Sequence, residues 1–128
     1  MATPEAIRHT IAQYIERFSA KDTEGWLALF ADDATVEDPI GSGLHTGHDE
    51  IRAFWEMSQS LSPSIVLHPN GPSCVAGSEA AFPILIVSAV GDSFIEIDAT
   101  DAMTFTDDAK IASLRAYWDF ADMRPVTE

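Results

Sequence analysis

Residues 94–105 read FIEIDATDAMTF, and this stretch decides the fold class. Its odd-numbered positions are apolar except for Asp101, whereas most of its even-numbered positions are polar. Because side chains alternate between the two faces of a strand, the pattern predicts a long strand with one face in a core. That core face carries a single carboxyl group.

Three other stretches continue the β pattern on either side, at residues 65–68, 80–90 and 110–120. The pairs Gly91-Asp92 and Asp107-Asp108 lie between the last three strands and suit antiparallel hairpin turns. The sequence therefore predicts an antiparallel meander from residue 64 onward.

The first half of the chain predicts three helices. Thr3 caps the first, which has Pro4 in its first turn and runs to about residue 19. Thr23 caps a shorter second helix that ends before Asp32, and the third spans about residues 49–61. Their apolar stripes are Ile7, Ile11, Tyr14, Ile15 and Phe18; Trp26, Leu27, Leu29 and Phe30; and Ile51, Phe54, Trp55 and Met57.

Helices that come first and strands that follow favour an α+β fold over an alternating α/β fold. We expect three helices packed on the concave face of one strongly curved, mostly antiparallel sheet. The length of 128 residues, of which 46% are hydrophobic, fits a single domain over residues 1–128 with a real core.

Composition excludes several classes of partner. A formal net charge of −14 opposes binding to nucleic acid and to anionic membrane surfaces. The apolar stretches are too short to span a bilayer, so we expect a cytoplasmic protein with no membrane partner. Cys74 stands alone and allows no internal disulfide. His45 and His48 with Asp49 form no closed ligand set, so no metal is expected.

Asp101 has two interpretations. A carboxylate on an apolar face must be paired, exposed or neutral, because burying it unpaired is costly. Arg115 cannot pair with it, because by alternation Arg115 points to the opposite face of the next strand from Leu114 and Ala116. Either the strand register is assigned wrongly here and Asp101 is an inward charge of the kind edge strands carry, or Asp101 is a protonated acid in an apolar cavity.

Asp38 and Tyr14 are equally ambiguous when each is taken alone. Asp38 shares a strand face with Ala34 and Val36 over residues 34–38, and Pro39 after it makes it a typical turn residue. Tyr14 on a helix stripe is ordinarily a core aromatic. Together with Asp101, however, they supply a base and two donors, which is what proton transfer beside a carbonyl requires.

Residues 31–42 read ADDATVEDPIGS and follow WLALF at residues 26–30. This segment closely resembles the bacterial steroid Δ5-isomerases, or ketosteroid isomerases. The resemblance continues through IRAF at 51–54, EAAF at 79–82 and SLRA at 113–116, and so covers most of the chain. It implies a cone-shaped fold of the nuclear-transport-factor-2-like (NTF2-like) class, a homodimer and a deep apolar pocket.

The resemblance also implies roles for individual residues. Asp38 matches the general base of that family, Tyr14 its oxyanion-hole tyrosine, and Asp101 its protonated oxyanion-hole acid. Trp118 resembles the aromatic residue that lines the steroid pocket. Phe54, Trp55 and Leu114 lie beside it, although Leu114 is equally compatible with plain core packing. The implied reaction converts 3-oxo-Δ5-steroids to 3-oxo-Δ4-steroids and needs no cofactor.

The chain departs from the family at two positions. Family members often carry further tyrosines hydrogen-bonded behind the catalytic one, where this chain has Phe30 and Trp55. Phe30 cannot donate, and an indole donates but cannot accept, so we expect a reduced polar network around Tyr14. Two other functions remain open. One is non-catalytic binding of a steroid or similar lipophile, and the other is another activity of the fold, such as that of a polyketide cyclase, epoxide hydrolase or dehydratase.

Overall fold

A computed structural model describes residues 1–126 of the chain. The helices are α1 (Pro4–Ser19), α2 (Thr23–Leu27) and α3 (Gly47–Ser60). The strands are β1 (Phe30–Glu37), β2 (His45–Thr46), β3 (Ile65–Pro69), β4 (Cys74–Ala76), β5 (Glu79–Val90), β6 (Ser93–Phe105), β7 (Ile111–Tyr117) and β8 (Arg124–Pro125). A short 3-10 helix, Phe120–Asp122, lies between the last two strands.

The first two helices begin at side-chain caps. The Thr3 hydroxyl accepts from the Ala6 backbone N–H at 3.1 Å, as the sequence predicts. The prediction that Thr23 caps α2 is wrong, because Asp22 accepts from the Gly25 N–H at 3.0 Å. The Thr23 hydroxyl is engaged elsewhere, as the acceptor for the Trp55 indole N–H at 3.0 Å.

Two further details of the helices differ from expectation. Helix α2 ends at Leu27, and Phe30 opens β1 instead of closing the helix. Met57 of α3 is 53% exposed although it was expected on the apolar side. It follows Phe54 by three residues and so lies at the solvent-facing border of the buried stripe of Ile51, Phe54 and Trp55.

The strands form one sheet in the order β2-β1-β7-β6-β5-β3, with β4 added to β5 and β8 added to β6. All pairs are antiparallel except β1 with β7, which are parallel. This confirms the predicted α+β fold, in which three helices pack on a curved, mostly antiparallel sheet. Strands of two or three residues, such as β2, β4 and β8, are too short for sequence periodicity to reveal.

The long β5–β6 hairpin sets the register of the sheet. It pairs twelve residues from Glu79↔Thr104 to Val90↔Ser93, and Gly91 takes the left-handed φ of 59° that the two-residue turn requires. In this register Asp101 lies opposite Phe82 on β5 and opposite Ala116 on β7. The predicted alternation is confirmed, since Ile97, Ala99, Met103 and Phe105 are all buried.

Strand β7 is shorter than predicted and ends at Tyr117. Arg115 is exposed and lies over the Tyr117 ring at 5.8 Å, as alternation predicts. Phe120 was expected on the apolar face but is 62% exposed, because the chain turns into the 3-10 helix there. In the described part of the chain, none of the helices is both long and apolar enough to cross a bilayer.

Candidate active site

Asp101 lies in the middle of β6, with a neighbouring strand on each side. It is therefore not on an edge strand, and its side chain is only 2% exposed. Its Oδ2 atom is sealed from solvent and has no hydrogen-bond partner within residues 1–126. Burial raises the pKa of the Asp101 carboxyl well above its ordinary value, and the nearby Asp38 charge raises it further. Both effects favour the protonated acid.

Tyr14 lies on the core face of α1 and is 2% exposed. Its ring contacts Trp26, Phe18, Phe30 and Phe82 at centroid distances of 6.2 to 6.5 Å. Burial raises the pKa of the Tyr14 phenol well above its ordinary value, and Asp101 or Asp38, when ionised, raises it further. Tyr14 thus remains a neutral O–H donor at neutral pH.

Phe82 connects the two donors. It is the cross-strand partner of Asp101, and its ring meets the Tyr14 ring edge-on at 6.4 Å. The helix α1 and the β5–β6 hairpin therefore bring Tyr14 and Asp101 to one part of the core, although 87 positions separate them in sequence.

Asp38 follows the last residue of β1 and is half-buried. Glu37, the last residue of β1, pairs in parallel with Arg115 of β7, so the two segments leave the sheet in the same direction. Their next residues meet there, and the Trp118 indole Nε1–H donates to Asp38 Oδ1 at 2.7 Å. Burial raises the pKa of the Asp38 carboxyl, whereas the Trp118 hydrogen bond and a positive charge on His45 lower it. Asp38 is thus the more easily ionised carboxyl of the two.

Comparison with known proteins places the chain in a family. Residues 11–114 match the SnoaL-like domain family. The chain belongs to this family. A steroid Delta-isomerase from Nocardioides simplex is 32% identical over 117 residues, which cover 91% of this chain and 93% of that protein.

Two solved structures share the NTF2-like fold of this SnoaL-like domain. One is the epoxide hydrolase/cyclase-like enzyme SalBIII, which acts in pyran ring formation in the polyether salinomycin. It has a TM-score of 0.88 and 21% identity, and the match covers 98% of this chain and all of that one. The other is a computationally designed 17-OHP binder, with a TM-score of 0.81 and 21% identity over 96% of this chain and 98% of that one. These likenesses establish the fold.

The four residues expected to line a pocket lie in different surroundings. Leu114 is 1% exposed in the core of this SnoaL-like domain, and Phe54 is buried with its ring 5.1 Å from that of His45. Trp55 packs on Phe18 at 5.2 Å. Trp118 is half-buried and its indole N–H donates directly to the Asp38 carboxyl, so the indole does more than line a surface.

The two departures from the ketosteroid isomerase pattern have a structural outcome. Phe30 lies edge-on to Tyr14, and the Trp55 indole N–H donates to Thr23 and not to the Tyr14 hydroxyl. The aromatic surroundings of Tyr14 are therefore largely apolar.

Sequence reasoning did not assign roles to Phe82, to His45 or to the indole N–H of Trp118. His45 pairs with Val36 across the two strands β1 and β2, a contact that hairpin pairing of residues 34–46 could have indicated. The other histidine of that loop, His48, contacts the Phe30 carbonyl oxygen at 2.9 Å.

The interior between the three polar groups is tightly filled. Tyr14, Phe30, Phe82 and Trp26 are each at most 2% exposed. Two depressions on the surface of the described residues lie elsewhere, one beside His9 and the other beside Tyr117. A ligand that reaches Tyr14 and Asp101 must therefore displace some of these side chains.

Proposed function

We propose that this chain is a steroid Δ5-isomerase, which converts 3-oxo-Δ5-steroids to 3-oxo-Δ4-steroids by proton transfer through a dienolate. The observation that carries the proposal is that two carboxyl groups of the core lie in opposite kinds of surroundings. Within residues 1–126, Oδ2 of the buried Asp101 has no hydrogen-bond partner and burial favours the neutral acid, whereas an indole N–H stabilises Asp38 as a carboxylate. The likeness to a protein named as a steroid Delta-isomerase supports the same chemistry.

Asp38 is the general base in this mechanism. Its carboxylate removes a proton from C4 of the substrate, and the electrons of the broken C–H bond move through C3 onto the ketone oxygen. When the resulting dienolate collapses, the double bond forms between C4 and C5, and protonated Asp38 returns the proton to C6. The substrate and product are isomers, so no oxidant, reductant, metal or cofactor enters the balance.

Tyr14 and Asp101 are the donors to the developing oxyanion. Both are neutral O–H groups in water-free surroundings, where a hydrogen bond to a forming negative charge is strongest. Each such donor can lower the barrier by about 3 kcal/mol. The unsatisfied Oδ2 of Asp101 is consistent with this role, because a buried polar atom normally has a partner.

The rings and side chains expected to hold the steroid are Phe54, Trp55, Leu114 and Trp118. A rigid four-ring skeleton is apolar along its length, so burial against such side chains supplies most of its binding energy. Trp118 would then both contact the substrate and hold the base, which places the reacting carbon beside Asp38.

We also propose that the chain folds as a single domain and forms a homodimer. The exposed apolar side chains Phe94, Tyr117 and Phe120 lie on or next to β6 and β7 and offer a surface for a second copy. Light scattering on the purified chain should give twice the monomer mass, and a monomer mass would contradict the dimer.

Absorbance of the conjugated enone tests the proposed reaction. The chain, mixed with androst-5-ene-3,17-dione, should generate the Δ4-3-ketone chromophore, and Asp38→Asn should lower kcat by about 10²- to 10⁴-fold. Asp33→Asn is the matched control, because Asp33 lies on β1, the strand that leads to Asp38, but is exposed. Steroid binding detected by tryptophan fluorescence without any enone would favour a non-catalytic binder, and an active Asp38→Asn protein would refute the assigned base.

A further inference from the structure

Gln59 on α3 has an unusual side chain. Within residues 1–126, four buried side-chain N or O atoms lack a hydrogen-bond partner: Trp26 Nε1, Asp101 Oδ2, and both the amide nitrogen and the amide oxygen of Gln59. Buried amides are normally paired, because the unmade hydrogen bonds are costly. Gln59 therefore resembles Asp101, because both have buried polar atoms without a hydrogen-bond partner in this part of the chain.

The position of Gln59 points it toward the interior. It follows Trp55 by four residues, so the two side chains lie one above the other on the same face of α3. Trp55 packs on Phe18, and Phe18 contacts Tyr14, so a continuous row of side chains leads from Gln59 to the oxyanion donors.

Gln59 and Asp101 lie toward opposite ends of the concave face. One turn after Gln59, the Ser62 hydroxyl donates to the Ala89 carbonyl oxygen at 2.7 Å, which fixes the end of α3 near that part of β5. Asp101 lies opposite Phe82, seven residues earlier on the same strand, or roughly 23 Å at about 3.3 Å per residue. This length of β5 exceeds the length of a four-ring skeleton, so such a ligand fits along it.

The concave face also opens toward Gln59. Along the inward positions of β5, Phe82 and Ile84 are buried, Ile86 and Ser88 are half-buried, and Val90 is exposed. A long rigid ligand whose ketone lies between Tyr14 and Asp101 would extend along this face, so that its remote end comes beneath α3.

We propose that the Gln59 amide hydrogen-bonds an oxygen substituent at the end of the ligand remote from the ketone. The inference rests on the proposed function, because that function sets the orientation of the ligand. An amide both donates and accepts, so it suits either a keto or a hydroxyl group on the last ring. The preferred substrates are then 3-ketosteroids that also carry oxygen at C17.

A ratio of two affinities tests this proposal. Tryptophan fluorescence gives Kd for androst-4-ene-3,17-dione and for androst-4-en-3-one, which differ only in the C17 oxygen. Gln59→Met keeps the length of the side chain but removes its hydrogen bonds, so we expect it to lower the preference for the dione by about 2- to 10-fold relative to wild type. Gln13→Met, at the other glutamine of the chain, should leave the ratio unchanged.

Each outcome decides a separate point. An unchanged ratio in Gln59→Met, or an equal change in Gln13→Met, would overturn the assignment of Gln59. If Gln59→Met does not fold, the same ratio is measured in Gln59→Leu, where an unchanged ratio would likewise overturn the assignment. Failure to form enone from androst-5-ene-3,17-dione would contradict the isomerase proposal, whereas enone formation with an unaltered affinity ratio would contradict the Gln59 proposal alone.

Discussion

Asp101→Asn should change how the stability of the protein depends on pH. Asp101 is 2% exposed, and burial raises the pKa of its carboxyl well above the ordinary value, so the folded chain holds this proton where the unfolded chain has lost it. An unfolded aspartate ionises with a pKa of about 3.9. Because the folded state then binds one proton more, the free energy of unfolding of the wild type falls as pH rises.

The size of the effect follows from that one proton. If Asp101 stays protonated in the folded chain up to pH 7, the wild type loses about 1.4 kcal/mol per pH unit relative to a variant without the acid. Asn has nearly the same shape and no titrating proton, and Asp38 is present in both proteins. Between pH 5 and pH 7, the stability of Asp101→Asn relative to wild type should therefore rise by about 2.8 kcal/mol.

Urea unfolding of both proteins at pH 5, 6 and 7 measures this difference. Asp98→Asn is the control on the same strand, because the Arg124 hydrogen bond lowers the pKa of exposed Asp98 and keeps it ionised throughout this range. Its stability relative to wild type should not change with pH. If the relative stability of Asp101→Asn is equally flat, Asp101 is ionised in the folded protein, and the oxyanion donor assigned to it is wrong.

Three other changes test the surroundings of the site. Tyr14→Phe removes a donor to the oxyanion and should lower kcat by about 10²- to 10³-fold, while the far-ultraviolet circular dichroism stays unaltered. A kcat within twofold of wild type would exclude Tyr14 as an oxyanion donor. Trp118→Phe removes the N–H that stabilises the Asp38 carboxylate, so the acid limb of the kcat/KM pH profile should move to higher pH, and a shift to lower pH would contradict the contact. Thr23→Val leaves the buried Trp55 N–H without an acceptor and should destabilise the chain by about 1 to 3 kcal/mol in urea unfolding, where no loss would show that the indole finds another partner.

The sequence predicts the long strands well because their pattern is local. Alternation along residues 94–105 places Asp101 among buried side chains and turns Arg115 outward, and the structure confirms both. The same reasoning cannot find β2 or β8, since two residues carry no period, and it mistakes Phe30 for a helical residue because an apolar side chain suits either element.

The parts of the site that depend on distant contacts could not be predicted. The indole of Trp118 and the carboxylate of Asp38 are 80 positions apart, and their contact requires that β1 and β7 pair in parallel. Nothing in either segment alone specifies that pairing. The prediction that Thr23 caps α2 is wrong for the same reason. The Thr23 hydroxyl accepts a hydrogen bond from the Trp55 indole, whose position depends on the packing of α3.

The parallel pairing of β1 with β7 also bears on biosynthesis. Asp38 leaves the ribosome 80 residues before Trp118, its indole partner, which directly follows β7. A nascent chain can therefore form its N-terminal helices, and even the β5–β6 hairpin, before the Trp118 indole can reach Asp38, because closing so long a loop waits for β7. Under the proposed function, enone formation would therefore begin only after Trp118 has emerged from the ribosome.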